Sequence, residues 1–528
     1  ADLMPNPLSP LFVTWAMPTL RAQMIPLGLR LKLGKPVLTE DYYTAINHYA
    51  YMNAYMPPKT WGWILTGMLP GYPGLFRRLV PLWRDTLHPE YRAIVDGYRS
   101  KTPGTMSPGE LLRDAQALLE AAMYYACGLL FATMGASAGS EGLLTQVYNR
   151  MVRREGDPEA SVLLMGWDNI PVRGEKSLFD LAAWVKAQGA LAGYMLETPA
   201  DEIARQLKDE QTPAGLEVEA WQELRGRFEA HLRQFGHILF QLDFAEPLPL
   251  DTPIPMLENI KMYLRGEGSN PYERQRASAE LRAQTAESML KRLKGFKRWA
   301  FVKALNWGQA LAEVREDALA EIGLGYPLLR AMLRELGNRF ARAGAIAGAE
   351  DIFWLEFEEL KGGITCLEQG QALENLSTRV EERKAFNAKA RQETPLPMIP
   401  MMKKYMGFDT TLWLAESESN RTGNLLKGVA TSTGRVTAPA CVLRGPEDFG
   451  KMRRGAVLVA GTTTPAWTPL FAMASAVVTD IGGPLSHGSI VAREYGIPAV
   501  MGTGVATKRI QDGQMITVDG GAGTVTLG

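Results

Sequence analysis

Near the end of the chain, Gly482-Gly483-Pro484-Leu485-Ser486-His487-Gly488-Ser489 sets one histidine among glycines, just before an apolar stretch, Ile490 to Tyr495, that reads as a helix. The chemistry such a placement allows is reversible attachment of a phosphoryl group to an imidazole nitrogen. A helix N-terminus offers unpaired amides and the positive end of a dipole, and both stabilise the anion that results. Gly482 and Gly483 permit close backbone approach, Gly488 leaves room beside the ring, and Ser486 is suited to cap the helix or to bond phosphate. Ile490, Val491 and Glu494 share a helical face, predicted to dock on a sheet while His487 projects from the helix end. Without its surroundings, the same histidine reads as a simple turn cap; the surrounding motif reverses that reading.

The elements that must hold this histidine follow from pattern. After Leu425 come short β-type runs, Cys441 to Leu443, Ala456 to Ala460, Ala476 to Thr479, Ala499 to Met501, Met515 to Val518 and Thr524 to Leu527, mostly separated by glycines. They predict a compact α/β domain over 425–528. Upstream the pattern is mostly helical. Ser107-Pro108-Gly109-Glu110 carries an N-cap serine, a first-turn proline and a glutamate three residues after the cap, predicting a long helix to about Met134. Thr198-Pro199, the charged amphipathic run Leu216 to Phe235, and Asn270-Pro271 opening a series to about Ala343 mark further helices. Residues 1–105 are rich in proline, tyrosine, tryptophan and methionine. From about 388, Pro395, Pro397 and Pro400, then a polar run from Glu416 to Asn424, read as a connector. The expected organisation is multidomain: a large, mainly α-helical acceptor-binding domain (1–387), a linker (388–424) and a small α/β swivelling domain (425–528).

The strings Leu426-Lys427-Gly428-Val429-Ala430, Gly455 to Val459, Pro465 to Phe471, Gly482 to His487, Val491 to Val500 and Val518-Asp519-Gly520 resemble the swivelling phosphohistidine domain of the phosphoenolpyruvate-utilising enzymes. Trp467-Thr468-Pro469-Leu470-Phe471 is most similar to the rifampin phosphotransferase branch. The resemblance implies that His487 is phosphorylated from ATP and dephosphorylated by an acceptor, with Ser486, Gly483, Gly488 and Thr468 in support. Leu485 stands where plant dikinases carry a regulatory threonine, so the resemblance does not extend to that regulation. Looser similarity over Phe235-Gly236-His237 to Leu264, and over Asn338-Arg339-Phe340 with Asp351 to Leu355, implies that the helical region binds the acceptor. Ile238 departs from it, standing where the family often has arginine.

Phosphorylating an organic hydroxyl needs a base within reach. His237 with Asp243 is the first candidate pair and His48 the second, whereas His88 and His231 read as surface residues. Tyr42, Tyr43, Tyr49, Tyr51, Tyr55, Trp61 and Trp63, with Met52, Met56 and Met68, are suited either to line an apolar acceptor pocket or to form core.

Bulk properties exclude other classes. Lys+Arg and Asp+Glu balance at 57 each, which leaves no footprint for nucleic acid or an acidic membrane. Three widely spaced cysteines imply neither a disulfide framework nor a zinc site, and no metal site or tightly bound cofactor is expected. The N-terminus lacks a secretory pattern and the uncharged stretch Ala121 to Gly139 reads as a core helix, so a cytoplasmic location is expected. No ATP-grasp pattern precedes residue 425 and no pyruvate barrel follows His487. By resemblance, ATP and Mg2+ are therefore expected on a separate ATP-grasp subunit or on a portion cut away. The expected reaction is transfer to a phenol or alkylphenol such as cresol, in aromatic-compound catabolism, with AMP and phosphate as by-products. The alternatives are a rifamycin-type antibiotic phosphotransferase fragment and a non-enzymatic phosphocarrier or scaffold.

Overall fold

The computed structural model describes residues 4–33, 35, 43–52, 58–63, 65–66, 78–129, 135–209, 211–393, 404–405, 408–409, 423–484 and 486–528. Three of its helices begin where a side chain satisfies the first unpaired amides, at Ser107, Asn169 and Asn270. Ser107 and Glu110 form the predicted capping box at the start of α1 (Pro108–Gly128): the Glu110 amide donates to Ser107 Oγ at 3.2 Å and the Ser107 amide to the Glu110 carboxylate at 2.8 Å. Residues 130–134, where this helix was expected to end, lie outside the described residues. After α2 (Gly135–Val147), α3 (Ile170–Lys186), α4 (Val218–Phe235) and α5 (Ile254–Leu264), Asn270 caps α6 (Pro271–Arg292) by accepting from the Tyr272 and Glu273 amides. Then follow α7 (Gly295–Ala320) and α8 (Tyr326–Arg342).

These helices enclose two main cores. Leu111, Leu118 and Leu119 of α1 meet Leu329, Leu333 and Leu336 of α8 in the larger one. In the second, Leu178, Leu181 and Val185 of α3 pack with Trp221, Leu224 and Phe228 of α4 and Leu257 and Ile260 of α5. The face that α7 buries, Phe301, Ala304, Leu305, Gly308 and Leu311, has helical spacing and continues into the charged pair Arg315 and Glu316, both also buried. The N-terminal segment is tied in by Asp243, which accepts from the Ser9 amide at 2.5 Å and the Ser9 hydroxyl at 2.9 Å.

The C-terminal domain is an eight-stranded mixed sheet: β1 (Leu425–Lys427), β2 (Val429–Ser432), β3 (Arg435–Leu443), β4 (Val457–Ala460), β5 (Ala476–Thr479), β6 (Ala499–Met501), β7 (Met515–Asp519) and β8 (Thr524–Leu527), in the order β1-β8-β7-β3-β4-β5-β6-β2. β3 to β6 are parallel and the flanking pairs antiparallel. Every residue of β4, β5 and β6 is buried, which explains their unbroken apolar runs: a parallel sheet is covered on both faces. One face is covered by α9 (His487–Tyr495) through Val491 and Ala492. The architecture is thus a large helical body followed by a small α/β domain. The expected connector falls largely outside the described residues, between a helix ending at Ala390 and β1.

The two parts are packed together. Phe240 of the helical body is buried in the α/β domain's core, its ring 5.9 Å from that of Phe449 and edge-on to it. Among the described residues, no helix is long and apolar enough to cross a membrane.

Candidate active site

His487 is the first residue of α9, as its glycine frame predicted. Gly482 adopts φ +141°, a conformation that side-chain-bearing residues rarely reach. At Gly488 a Cβ would stand 2.3 Å from Thr463 Oγ1, so any larger residue would force Thr463 to move. Ser486 occupies the N-cap position but its hydroxyl does not cap the helix, contrary to expectation. It donates instead to the Gly483 carbonyl at 2.9 Å, which Ser489 Oγ also reaches at 2.7 Å. The two hydroxyls fasten the loop behind the histidine, and Gly483 serves through its carbonyl oxygen. The neighbouring Leu485 lies outside the described residues.

His487 is 5% exposed and held at both ring nitrogens. Nδ1 lies 2.8 Å from Glu316 Oε2, across the interface on α7, and Nε2 lies 3.1 Å from Thr468 Oγ1. The Thr468 hydroxyl donates its one proton to the Pro465 carbonyl at 2.7 Å, which leaves its oxygen to accept from Nε2–H. The Glu316 carboxylate oxygen can only accept, so Nδ1 faces it as the donor. Burial pushes the Glu316 carboxyl up, but its hydrogen bond to His487 and the charges of His487 and Arg315 outweigh that and hold it below the usual range. Glu316 Oε1 is buried with no hydrogen-bond partner among the described residues.

Around Glu316 lies a cleft of about 30 Å³ whose lining includes Ser140, Glu141, Asn169, Arg315, Arg493 and Glu494 beside apolar residues such as Leu164, Met165 and Trp167. Ile490 also lines it. The expected docking face of α9 therefore divides: Val491 packs on the sheet, while Ile490 and Glu494, one turn apart, face the helical body. Arg493 stands 3.8 Å from Glu141 and donates to the Pro484 carbonyl at 2.9 Å. For the partly buried Glu494, burial and the negative charge of Glu316 push its carboxyl up to about 7. Among the described residues, no group of three or more His, Cys, Asp or Glu is arranged to hold a metal ion.

A second set of bonds fixes the far end of α9. The Tyr495 hydroxyl donates to Glu175 Oε1 at 2.8 Å, as does Tyr263 from α5, and Arg274 pairs with the other Glu175 oxygen while lying 3.8 Å over the Tyr495 ring.

The other candidate residues fall elsewhere. His237 and Asp243 do not form a pair. Asp243 is occupied by Ser9 and by the Ala245 amide at 2.9 Å, with burial pushing it up to about 6, while His237 Nε2 lies 3.6 Å from Glu321 Oε1. His48 sits in a hairpin turn with Nδ1 3.0 Å from the Leu8 carbonyl. His88 is not a free surface residue: it bonds Glu321 at 2.9 Å and stacks on Trp83. Nor is His231, which lies on the buried face of α4 in line with Trp221, Leu224, Phe228 and Phe235. Of the aromatic set, Tyr49 and Trp63 are buried, donating to the Ala390 and Leu33 carbonyls, and Trp61 is exposed. Tyr42, Tyr55, Met56, Met68 and the Met52 side chain lie outside the described residues. Sequence reasoning missed Glu316; its signal was an Arg-Glu pair prolonging the apolar face of a long helix.

Residues 452–523, which include His487, match the PEP-utilising enzyme mobile domain. The chain carries the mobile domain of the PEP-utilising enzymes. Residues 130–316, ending at Glu316, match the rifampicin phosphotransferase fourth domain, so the two partners of the buried His487–Glu316 contact come one from each matched segment. The chain is 27% identical over 359 residues to the rifampicin phosphotransferase of Streptomyces sviceus, covering 66% of this chain and 39% of that one. It is 30% identical over 360 residues to the prodigiosin synthesizing transferase PigC of Serratia marcescens, covering 66% and 38%. The phosphoenolpyruvate synthase of Aeropyrum pernix is 50% identical over 105 residues, 20% of this chain and 13% of that one. The chain thus spans about two-fifths of the length of the first two of these relatives.

Proposed function

We propose that the chain is the relay and acceptor portion of an ATP-dependent phosphotransferase, in which His487 carries the phosphoryl group to the hydroxyl of a small organic molecule. The observation that carries this reading is the His487–Glu316 contact of 2.8 Å: a histidine at a helix N-terminus on the mobile domain meets a buried carboxylate of the helical body. In this reading the mobile domain visits an ATP site on an ATP-grasp portion outside these residues, where Mg2+ accompanies the nucleotide. With dikinase chemistry, ATP and water give AMP, inorganic phosphate and phospho-His487. The acceptor loads in the cleft beside Glu316 while the mobile domain is away, since the docked cleft is only about 30 Å³.

On docking, the P–N bond breaks as the bond from phosphorus to the acceptor oxygen forms. Glu316 Oε1, free of other hydrogen bonds, takes the hydroxyl's proton, and Arg315 and Arg493 oppose the phosphoryl charge. A phenol or alkylphenol is the preferred acceptor, its acidic hydroxyl suited to a carboxylate base. The reading is tested by incubating the chain with an ATP-grasp partner and β-labelled ATP. Acid-labile, base-stable label should appear on the wild type and be absent from His487→Ala; label that survives the substitution overturns the assignment. A screen of phenols against rifamycins then identifies the acceptor class.

A further inference from the structure

A second void lies on the other side of His487, behind Thr468. It measures about 50 Å³, several times the roughly 10–15 Å³ that one water needs, and lies between α3, α4, α5 and the Pro465–Pro469 segment of the mobile domain. Its walls are mostly apolar, with Leu178, Phe235, Ile238, Phe240, Met256 and Pro469 among them. Among the polar side chains on its wall are His231 and Asn259, which are 4% and 2% exposed. His231 Nε2 and Asn259 Nδ2 are both buried without a hydrogen-bond partner among the described residues. Buried polar atoms are nearly always paired, so two orphans on one void point to an occupant. We infer that this void is a binding site for a small, uncharged, mainly apolar molecule whose oxygen pairs with Asn259 Nδ2 and His231 Nε2.

The chemistry of the walls defines that class. Asn259 Nδ2 is a donor, so it requires an oxygen that accepts. His231 Nδ1 is engaged by Ser177 Oγ at 2.9 Å, and burial pushes the ring down to about 4, so near neutral pH it is an uncharged imidazole whose Nε2 completes the oxygen's second hydrogen bond. The one carboxylate on the wall, Glu175, is consumed by Tyr263, Tyr495 and Arg274, so no charge is left to pair with a charged ligand. A hydroxyl, ether or carbonyl on an apolar body meets these conditions. The site is separate from the cleft beside Glu316, and its ligand needs no reacting group. Because Pro465, Ala466, Thr468 and Pro469 come from the mobile domain and the remaining wall from the helical body, an occupant bridges the two and favours the docked arrangement.

The test uses 4-fluorobenzyl alcohol with the full chain and no nucleotide, followed by fluorine NMR. Saturable broadening of the probe signal is expected at millimolar concentration. Asn259→Leu removes the donor, and Ala466→Phe fills the void from the mobile-domain side; each should weaken binding at least tenfold. The probe should also raise the docked fraction, read by energy transfer between dyes on the two domains. Absence of saturable binding to the wild type, or unchanged affinity in both variants, overturns the site and leaves the void to ordered water.

Discussion

Glu494 should make docking of the mobile domain depend on pH. Its carboxyl stands at about 7 against an ordinary 4.5, first because burial in the docked interface removes water from it. The charged and polar groups acting on it, Glu316, Arg274, the Gly166 amide and Glu175, all belong to the helical body, so undocking returns it toward its ordinary value. A carboxyl whose value is raised on docking contributes fully below about 4.5 and loses that contribution as pH rises through about 7. The difference between 4.5 and about 7 is on the order of 3 kcal/mol, so docking should weaken by up to about 300-fold across that window, less where solvent still reaches the side chain. The expected slope is one proton per docking event. Energy transfer between dyes on the two domains, followed from pH 5 to 8.5, measures it, with Glu494→Gln as the control. In that variant the slope should fall by about one proton and the docked fraction at pH 8 should rise. A wild type whose docking is flat across the range, or a variant that keeps the wild-type slope, would refute the reasoning.

Three further outcomes follow from the same interface. Glu316→Ala leaves the His487 ring buried opposite no carboxylate, a loss of about 3–5 kcal/mol for a broken buried pair, so the docked fraction should fall by at least two orders of magnitude and acceptor turnover with it. Tyr495→Phe removes one donor to the Glu175 carboxylate, worth about 1.5–3 kcal/mol, and should lower docking in the same energy-transfer assay without preventing phosphorylation of His487. Gly488→Ala forces a methyl against Thr463 and should destabilise the mobile domain by roughly 1–3 kcal/mol, seen as a lower melting temperature by calorimetry.

What was legible in the sequence was what is local. The capping box at Ser107 and Glu110, the cap at Asn270 and the helix start at His487 depend on neighbours within a few residues, and each is present. The parallel strands were legible because burial on both faces leaves unbroken apolar runs. The partners of the site were not: Glu316 lies 171 residues from His487 and Glu175 lies 320 from Tyr495, and no short-range pattern joins them. His237 and Asp243 show the converse error, since closeness in sequence suggested a pair that tertiary packing assigns to Glu321 and Ser9. His231 was legible but misread, because the surrounding charges of α4 obscured a position in register with Phe228 and Phe235.

In the relay proposed above, the docked arrangement cannot also be the one in which His487 takes its phosphoryl group. Both ring nitrogens are occupied, by Glu316 and Thr468, and the ring is almost entirely buried, so a nucleotide can reach it only after the interface opens. Opening breaks the Tyr495–Glu175 bond and exposes Phe240, each opposing separation by about 2 kcal/mol. A relay held that firmly would stall after every transfer unless something in the same interface favoured release. Glu494 and Glu316 supply it: two carboxyls facing one cleft, one pushed up by the other, weaken docking most when both are ionised. Removing that repulsion with Glu494→Gln should therefore slow rephosphorylation of His487 at pH 8 in single-turnover experiments while leaving transfer from phospho-His487 to the acceptor as fast as in the wild type. A variant that is rephosphorylated at the wild-type rate would show that release does not depend on this pair.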